Sequence, residues 1–301
     1  MCSFNLQRVF GWGRIKTKLK RLSMNLIDIA DNIELRDGIW FSKNTSEISY
    51  PKDGNQLCFQ IEEHNFWFKH RNNCITETIK NFFSGIYFVD VGGGNGYLAS
   101  ELEKNGIQTL LVEPGIDGIL NARKKGLKNL LCSTLENAAF RNASLNAIGI
   151  FDALEHKKDD LFFLSTIGNI LTEKGQVFLT VPSFNILWSG YDDLAGHYHR
   201  YTLQGITEKL EQAGFKIEYA TYIFSILPIP IFLFRTIPSA IGMKRHCNMD
   251  TLRRDLVKND KIFGRFSDKI WAQEISLIKR KKKIPFGGTC LVVARKKPII
   301  N

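Results

Sequence analysis

The 301-residue chain has no Cys-x-x-Cys pair, no internal repeat and no low-complexity tract. Its cysteines, Cys2, Cys58, Cys74, Cys132, Cys247 and Cys290, are scattered. That pattern gives neither a spaced zinc-ligand set nor a disulfide framework, and it points to a reducing compartment. The basic start lacks a following apolar h-region with a small-residue cleavage site, so no secretory leader is expected and a cytoplasmic location is. The most apolar stretch, IFSILPIPIFLFRTIPSAIG at 223–242, is broken by Pro228, Pro230, Arg235 and Pro238. Such interruptions make a poor transmembrane helix. Acidic residues are in deficit, with 30 Asp and Glu against 41 Lys and Arg and a formal charge of +11.

The excess of positive charge gathers near the ends, at Arg8, Arg14, Lys16, Lys18, Lys20 and Arg21 and again in KRKKK from Lys279 to Lys283. Clusters of this kind attract phosphate, in nucleic acid or in an anionic membrane face; a solvated charged surface is the plainer reading. With 44% hydrophobic residues the chain can bury a full core.

From residue 86 onward, short apolar runs alternate with helical spacing. IYFVDV (86–91), IQTLLV (107–112), NLLC (129–132), AIGIF (147–151) and QVFLTV (176–181) read as strands. Between the last two, Leu161, Leu164, Ile167 and Leu171 share a helix face, and Thr202 caps a helix that Gly214 ends. FKIEYATY (215–222) and TCLVVAR (289–295) complete the set. The order predicts an α/β fold with a doubly wound, mainly parallel sheet.

In FVDVGGGNGYLA (88–99), four glycines in a strand-to-helix turn bring a ligand against the backbone, at the positive end of a helix. A nucleotide-like cofactor is implied. Gly94 to Ala99 also satisfies a dinucleotide fingerprint, with Glu113 at about the right distance. Asp90 separates the two classes. A pyrophosphate gains nothing from a carboxylate two residues before Gly92, whereas the ammonium of S-adenosylmethionine does.

DVGGGNG resembles the first motif of class I S-adenosylmethionine-dependent methyltransferases, and later segments match in order: LLVEPG (110–115), CSTLE (132–136), FDALEH (151–156) and EKGQVFLTVP (173–182). The resemblance covers about 61–222 and returns at 285–297. It implies a Rossmann-like sheet of seven strands, with a helical extension over 1–60, a core over 61–222, an apolar and basic insertion over 223–284 and a final strand in 285–301. It also implies a cofactor site of Asp90, Gly92, Gly94 and Gly96, with Glu113 on the ribose hydroxyls beside Pro114, Ser133 or Thr134 near adenine, and Asp152.

WSGYDDLAGHYHRYT (188–202) follows the fifth core strand and is similar to a segment of a methyltransferase subgroup linked to surface-glycan biosynthesis. A hydroxyl acceptor must lose its proton, for which His156, His197 and His199 are candidate bases and Asp192 a candidate orienting group. Each could equally be a structural side chain of a loop. The aromatic segment IEEHNFWFKHR (61–71) could cover the cofactor cleft or simply pack on the core. Partners expected from these readings are a small or lipid-linked acceptor and an anionic membrane face. Nucleic acid is disfavoured because no Asn/Asp-Pro-Pro-Tyr motif stands near the fourth core strand. A non-catalytic scaffold and an NAD-dependent oxidoreductase also remain open at the level of sequence.

Overall fold

The computed structural model describes residues 25–44, 59, 61–240 and 264–298. The basic residues Arg8 to Arg21, Cys2, Cys58, Cys247 and the middle of the insertion lie outside that set. Among the described residues, strands β1 (Ile33–Arg36), β2 (Ile39–Ser42), β3 (Tyr87–Val91), β4 (Gln108–Val112), β5 (Leu130–Cys132), β6 (Leu145–Phe151), β7 (Leu171–Pro182), β8 (Phe215–Ile223) and β9 (Thr289–Lys296) form one sheet. Its order is β1-β2-β5-β4-β3-β6-β7-β9-β8. The helices are α1 (Phe66–Phe82), α2 (Tyr97–Lys104), α3 (Ile116–Lys124), α4 (Leu135–Ala138), α5 (Asp160–Ile170), α6 (Gly190–Ala195), α7 (Leu203–Gln212), α8 (228–240, π-helical over Phe232–Thr236) and α9 (Gly264–Lys279).

Strands β3 to β7 pair in parallel, and β9 lies antiparallel between β7 and β8. The parallel strands are apolar almost without a break because both faces are covered. On one face Val89, Val91, Ile148, Ile150, Val177 and Leu179 pack with Leu164 and Ile167 of α5 and Ile206 and Leu210 of α7. On the other, Phe88, Ala147, Phe178 and Val293 meet Ile75 and Ile79 of α1, Leu98 and Leu102 of α2, and Trp271 and Ile278 of α9.

Two expectations need correction. The described part of the N-terminal extension holds only a short 3-10 turn, Leu26–Asp28, and the helical Phe59, and is otherwise dominated by a β-hairpin, β1 and β2; β2 lies parallel beside β5 and enlarges the seven-stranded core to nine strands. Asp37-Gly38 dictates this, since both residues take positive φ, 49° and 76°, as a tight hairpin turn requires. Leu171 does not belong to the helix that its spacing predicts but opens β7, paired with Leu145. The helical spacing of Leu161, Leu164 and Ile167 continues to Leu171 by coincidence. Helix α5 stops at Ile170, where burial on the sheet takes over.

Strand β3 has β4 on one side and β6 on the other. The chain therefore changes winding direction there, which opens a crevice beyond the carboxyl ends of β3 and β6. No described helix is long and apolar enough to cross a membrane.

Candidate active site

The crevice is a cavity of about 410 Å³. Its floor is the turn from β3 into α2. Gly92 N donates to Val112 O at 2.8 Å, Gly96 N to Gly93 O at 3.0 Å, and Gly94 N to Glu113 Oε2 at 3.0 Å. Gly94 and Gly96 have φ of 55° and 69°, a region that β-carbon-bearing residues seldom adopt. Gly96 faces away from the cavity. A methyl group there would stand 2.7 Å from Ala122 Cβ, so this glycine lets α2 sit close on α3. Asn95 is fully buried; it accepts from Asn121 Nδ2 at 3.0 Å and donates to Glu62 Oε1 at 3.3 Å, tying the turn to two neighbouring segments.

Asp90 sits under the turn, 1% exposed, and neither carboxylate oxygen has a hydrogen-bond partner among the described residues. Burial pushes its pKa up to about 7, against the pull of the Arg71 guanidinium and with help from Glu113. A carboxylate kept this dry without a donor calls for a cation above it. Glu113, at the end of β4, spans Gly94 N and Gly115 N, the latter at 2.9 Å from Oε1.

Arg71 on α1 pairs with Asp152 Oδ2 and lies over the Trp67 ring at 5.5 Å. Asp152 holds a positive φ of 52°, and its other oxygen accepts from Thr180 Oγ1 at 2.9 Å. Arg71, Trp67 and Phe68 line the cavity, while Phe66 and Trp67 also pack on the core, so the aromatic segment does both. Within that segment the sequence singles out the aromatic residues and not Arg71 at its end. The signal is weak, because the partner Asp152 is 81 residues away.

The fold brings Asp90, Gly92, Gly94, Glu113, Pro114, Ser133, Thr134, Asp152 and His156 to one cavity. The hydroxyls of Ser133 and Thr134 are occupied locally: Ser133 Oγ donates to Thr134 O at 2.7 Å, and Thr134 Oγ1 caps α4 by accepting from Asn137 N at 3.1 Å. The fold does not bring His197, His199 and Asp192 to the cavity wall. His199 rests on the Lys158 carbonyl, 3.2 Å away. Asp192 is the buried hub of its loop, in a capping box with Ser189, 2.7 Å from Arg200 Nε and 3.0 Å from His197 Nδ1. Burial alone would raise its pKa, but the His197 and Arg200 contacts outweigh that and hold it low. His197 stands behind His156, their ring centroids 5.0 Å apart. His156 itself is pushed down to about 4 by burial and by His197, so it is a neutral imidazole at neutral pH.

The sequence profile of the methyltransferase domain matches residues 64–220. The chain belongs to the methyltransferase-domain family. A Mycolicibacterium smegmatis protein described as a probable S-adenosylmethionine-dependent methyltransferase is 22% identical over 184 residues, 60% of this chain and 71% of its own. Two solved structures share the fold. A chain of the Haloferax volcanii complex containing the Trm112 methyltransferase activator superposes with a TM-score of 0.52 at 16% identity, covering 83% of this chain and 98% of that one. Phosphoethanolamine N-methyltransferase 2 of Haemonchus contortus, bound to S-adenosyl-L-methionine, gives 0.53 at 17%, covering 86% and 62%. This protein is thus a class I S-adenosylmethionine-dependent methyltransferase, and an NAD-dependent oxidoreductase falls away.

The residues present fit that cofactor. The methyltransferase's unpartnered Asp90 would take the ammonium, Glu113 the ribose, and Arg71, a cation on the cavity wall, the carboxylate. Gly94→Val is expected to abolish S-adenosylhomocysteine binding in calorimetry, because a β-branched residue is strained at φ 55° and its side chain stands on the cavity floor.

Proposed function

We propose that this methyltransferase acts on a hydroxyl of a small or lipid-linked acceptor, a sugar or glycan intermediate. The observation that carries the reading is His156, a neutral imidazole on the cavity wall, backed by the residue 188–202 segment that resembles glycan-linked enzymes. The bound cofactor supplies an electrophilic methyl on a sulfonium. The chain's part is to hold the acceptor in line and to accept its proton at His156. His197 would position His156, while Asp192 fixes His197. His199 has no part in this scheme. A nucleic-acid acceptor is the weaker reading, since FDALEH stands where a base-methylating motif would.

Helix α8 supports contact with an anionic membrane face. It leaves Ile229 63%, Leu233 48% and Phe234 67% exposed, and KRKKK ends the insertion. Methyl-labelled cofactor incubated with the protein and a membrane-containing extract, then partitioned, tests both ideas. Label in the organic phase is expected. Label confined to small aqueous molecules would leave a soluble acceptor and remove the reason for the membrane contact. In the same assay His156→Ala is expected to slow transfer at least about tenfold while S-adenosylhomocysteine affinity holds.

A further inference from the structure

Glu155 and His156 form the turn Leu154–His156 after β6, and His197 follows α6. One ligand atom from each comes together within a span of 4.8 Å. Glu155 is 1% exposed, and its Oε2 has no hydrogen-bond partner among the described residues. Its Oε1 stands 4.0 Å from His197 Nε2, too far for a hydrogen bond.

We propose that Glu155, His156 and His197 bind a divalent transition-metal ion at the edge of the cofactor cavity. Two imidazoles and a carboxylate suit borderline ions such as Mn²⁺, Fe²⁺, Co²⁺ and Zn²⁺, and a three-ligand set on one side leaves positions open. Ligand bonds of about 2.0–2.2 Å put neighbouring donors ~3–3.5 Å apart, so only a small contraction is needed. The surroundings fit as well. His197 offers Nε2 to the site because Nδ1 is engaged by Asp192 at 3.0 Å, the carboxylate–imidazole–metal arrangement that fixes tautomer and ring direction. His156 makes a backbone hydrogen bond to Gly196 and faces the cavity.

A second cluster, His70, Cys74 and Glu274, has similar spacing but different bonding. Glu274 accepts from Phe224 N at 2.9 Å, Ser225 N at 2.7 Å and Ser225 Oγ, and pairs with His70 at 2.8 Å. Its oxygens are satisfied, and none of the three residues lines the cavity. This cluster is a structural network.

Metal binding does not depend on the acceptor reading; its catalytic use does. An acceptor hydroxyl on an open position is acidified, as water is on zinc. With the ion bound, the His156 lone pair lies on the metal, so the ion replaces His156 as the group that activates the hydroxyl: the O–H proton passes to solvent, the oxygen's electron pair forms the O–CH₃ bond, and the S–CH₃ bond breaks with its pair left on a neutral thioether.

The test is titration of chelator-dialysed protein with Co²⁺, read by visible absorption, with S-adenosylhomocysteine affinity measured on every variant as the check on folding. One Co²⁺ per chain is expected, without a thiolate charge-transfer band, and Mn²⁺ or Zn²⁺ should compete for it. Glu155→Gln and His197→Ala should each weaken Co²⁺ binding by at least about a hundredfold, and Asp192→Asn by roughly ten- to hundredfold, since it orients a ligand. Absence of binding at millimolar Co²⁺, or binding that survives both ligand variants and is lost in Cys74→Ser, would overturn the assignment. Co²⁺ bound normally by a protein that methylates no hydroxyl would retain the site and reject the acceptor.

Discussion

Asp90→Asn is expected to weaken S-adenosylhomocysteine binding about thirty- to hundredfold, because an amide replaces the buried charge that would meet the ligand's ammonium. The same change should stabilise the ligand-free protein at pH 8. Burial raises the carboxyl from 3.8 to about 7, which corresponds to roughly 4 kcal/mol of preference for the protonated form. A raised carboxyl lets the folded state bind more protons than the unfolded one. Stability from this group is therefore complete below about pH 4, declines as pH rises towards 7, and stays low above that. Asn cannot titrate, so the decline should flatten in thermal melts. Binding should follow the opposite course. The wild type needs the ionised form, so its affinity should climb between pH 6 and 8, and the asparagine variant should show no such climb. A pH-independent wild-type affinity would remove Asp90 from the cofactor site.

Glu274→Ala is expected to cost about 3–5 kcal/mol, the usual penalty for breaking a buried pair from one side. Glu274 is 3% exposed and answers Phe224 N, Ser225 N, the Ser225 hydroxyl and His70 at once. The alanine leaves all four without an acceptor in a dry interior. Burial tends to raise the Glu274 pKa, but the hydrogen bonds from His70 and Ser225 outweigh it and hold it below the usual range. Its contribution is thus present above about pH 4.5 and lost as pH falls through the lowered value. Denaturant unfolding at pH 7 and pH 4 checks this: the difference between wild type and Glu274→Ala should shrink at the lower pH. A loss below about 1 kcal/mol at pH 7 would show that the network is dispensable.

The central sheet was legible because FVDV, TLLV, AIGIF and VFLTV are apolar enough to be buried on both faces and are punctuated by glycine and asparagine. The hairpin was not, although Asp37-Gly38 carries its turn signal, since IELR and IWFS are only four residues each and owe their place to β5, far along the chain. That the glycine turn, Asp90 and Glu113 share one cavity could be read because they lie close in sequence, at the ends of adjacent strands. The placements of Arg71 and Glu155 could not, because each is set beside a residue that only folding brings near: Asp152 for one and His197 for the other. The three candidate histidines looked equivalent in sequence. Only the turn of β6 and the cap at Gly196 separate His156 on the wall from His197 behind it and His199 outside.

Helix α1 has two sides with different occupations. Trp67 and Arg71 face the cofactor cavity, while His70 is held by Glu274 of α9 and Trp67 stacks on Phe224 at 5.6 Å. A ligand that moved α9 would therefore pull on the same helix that lines the cofactor cavity. Were such a coupling present, filling the cavity would change the affinity for that ligand by the same factor.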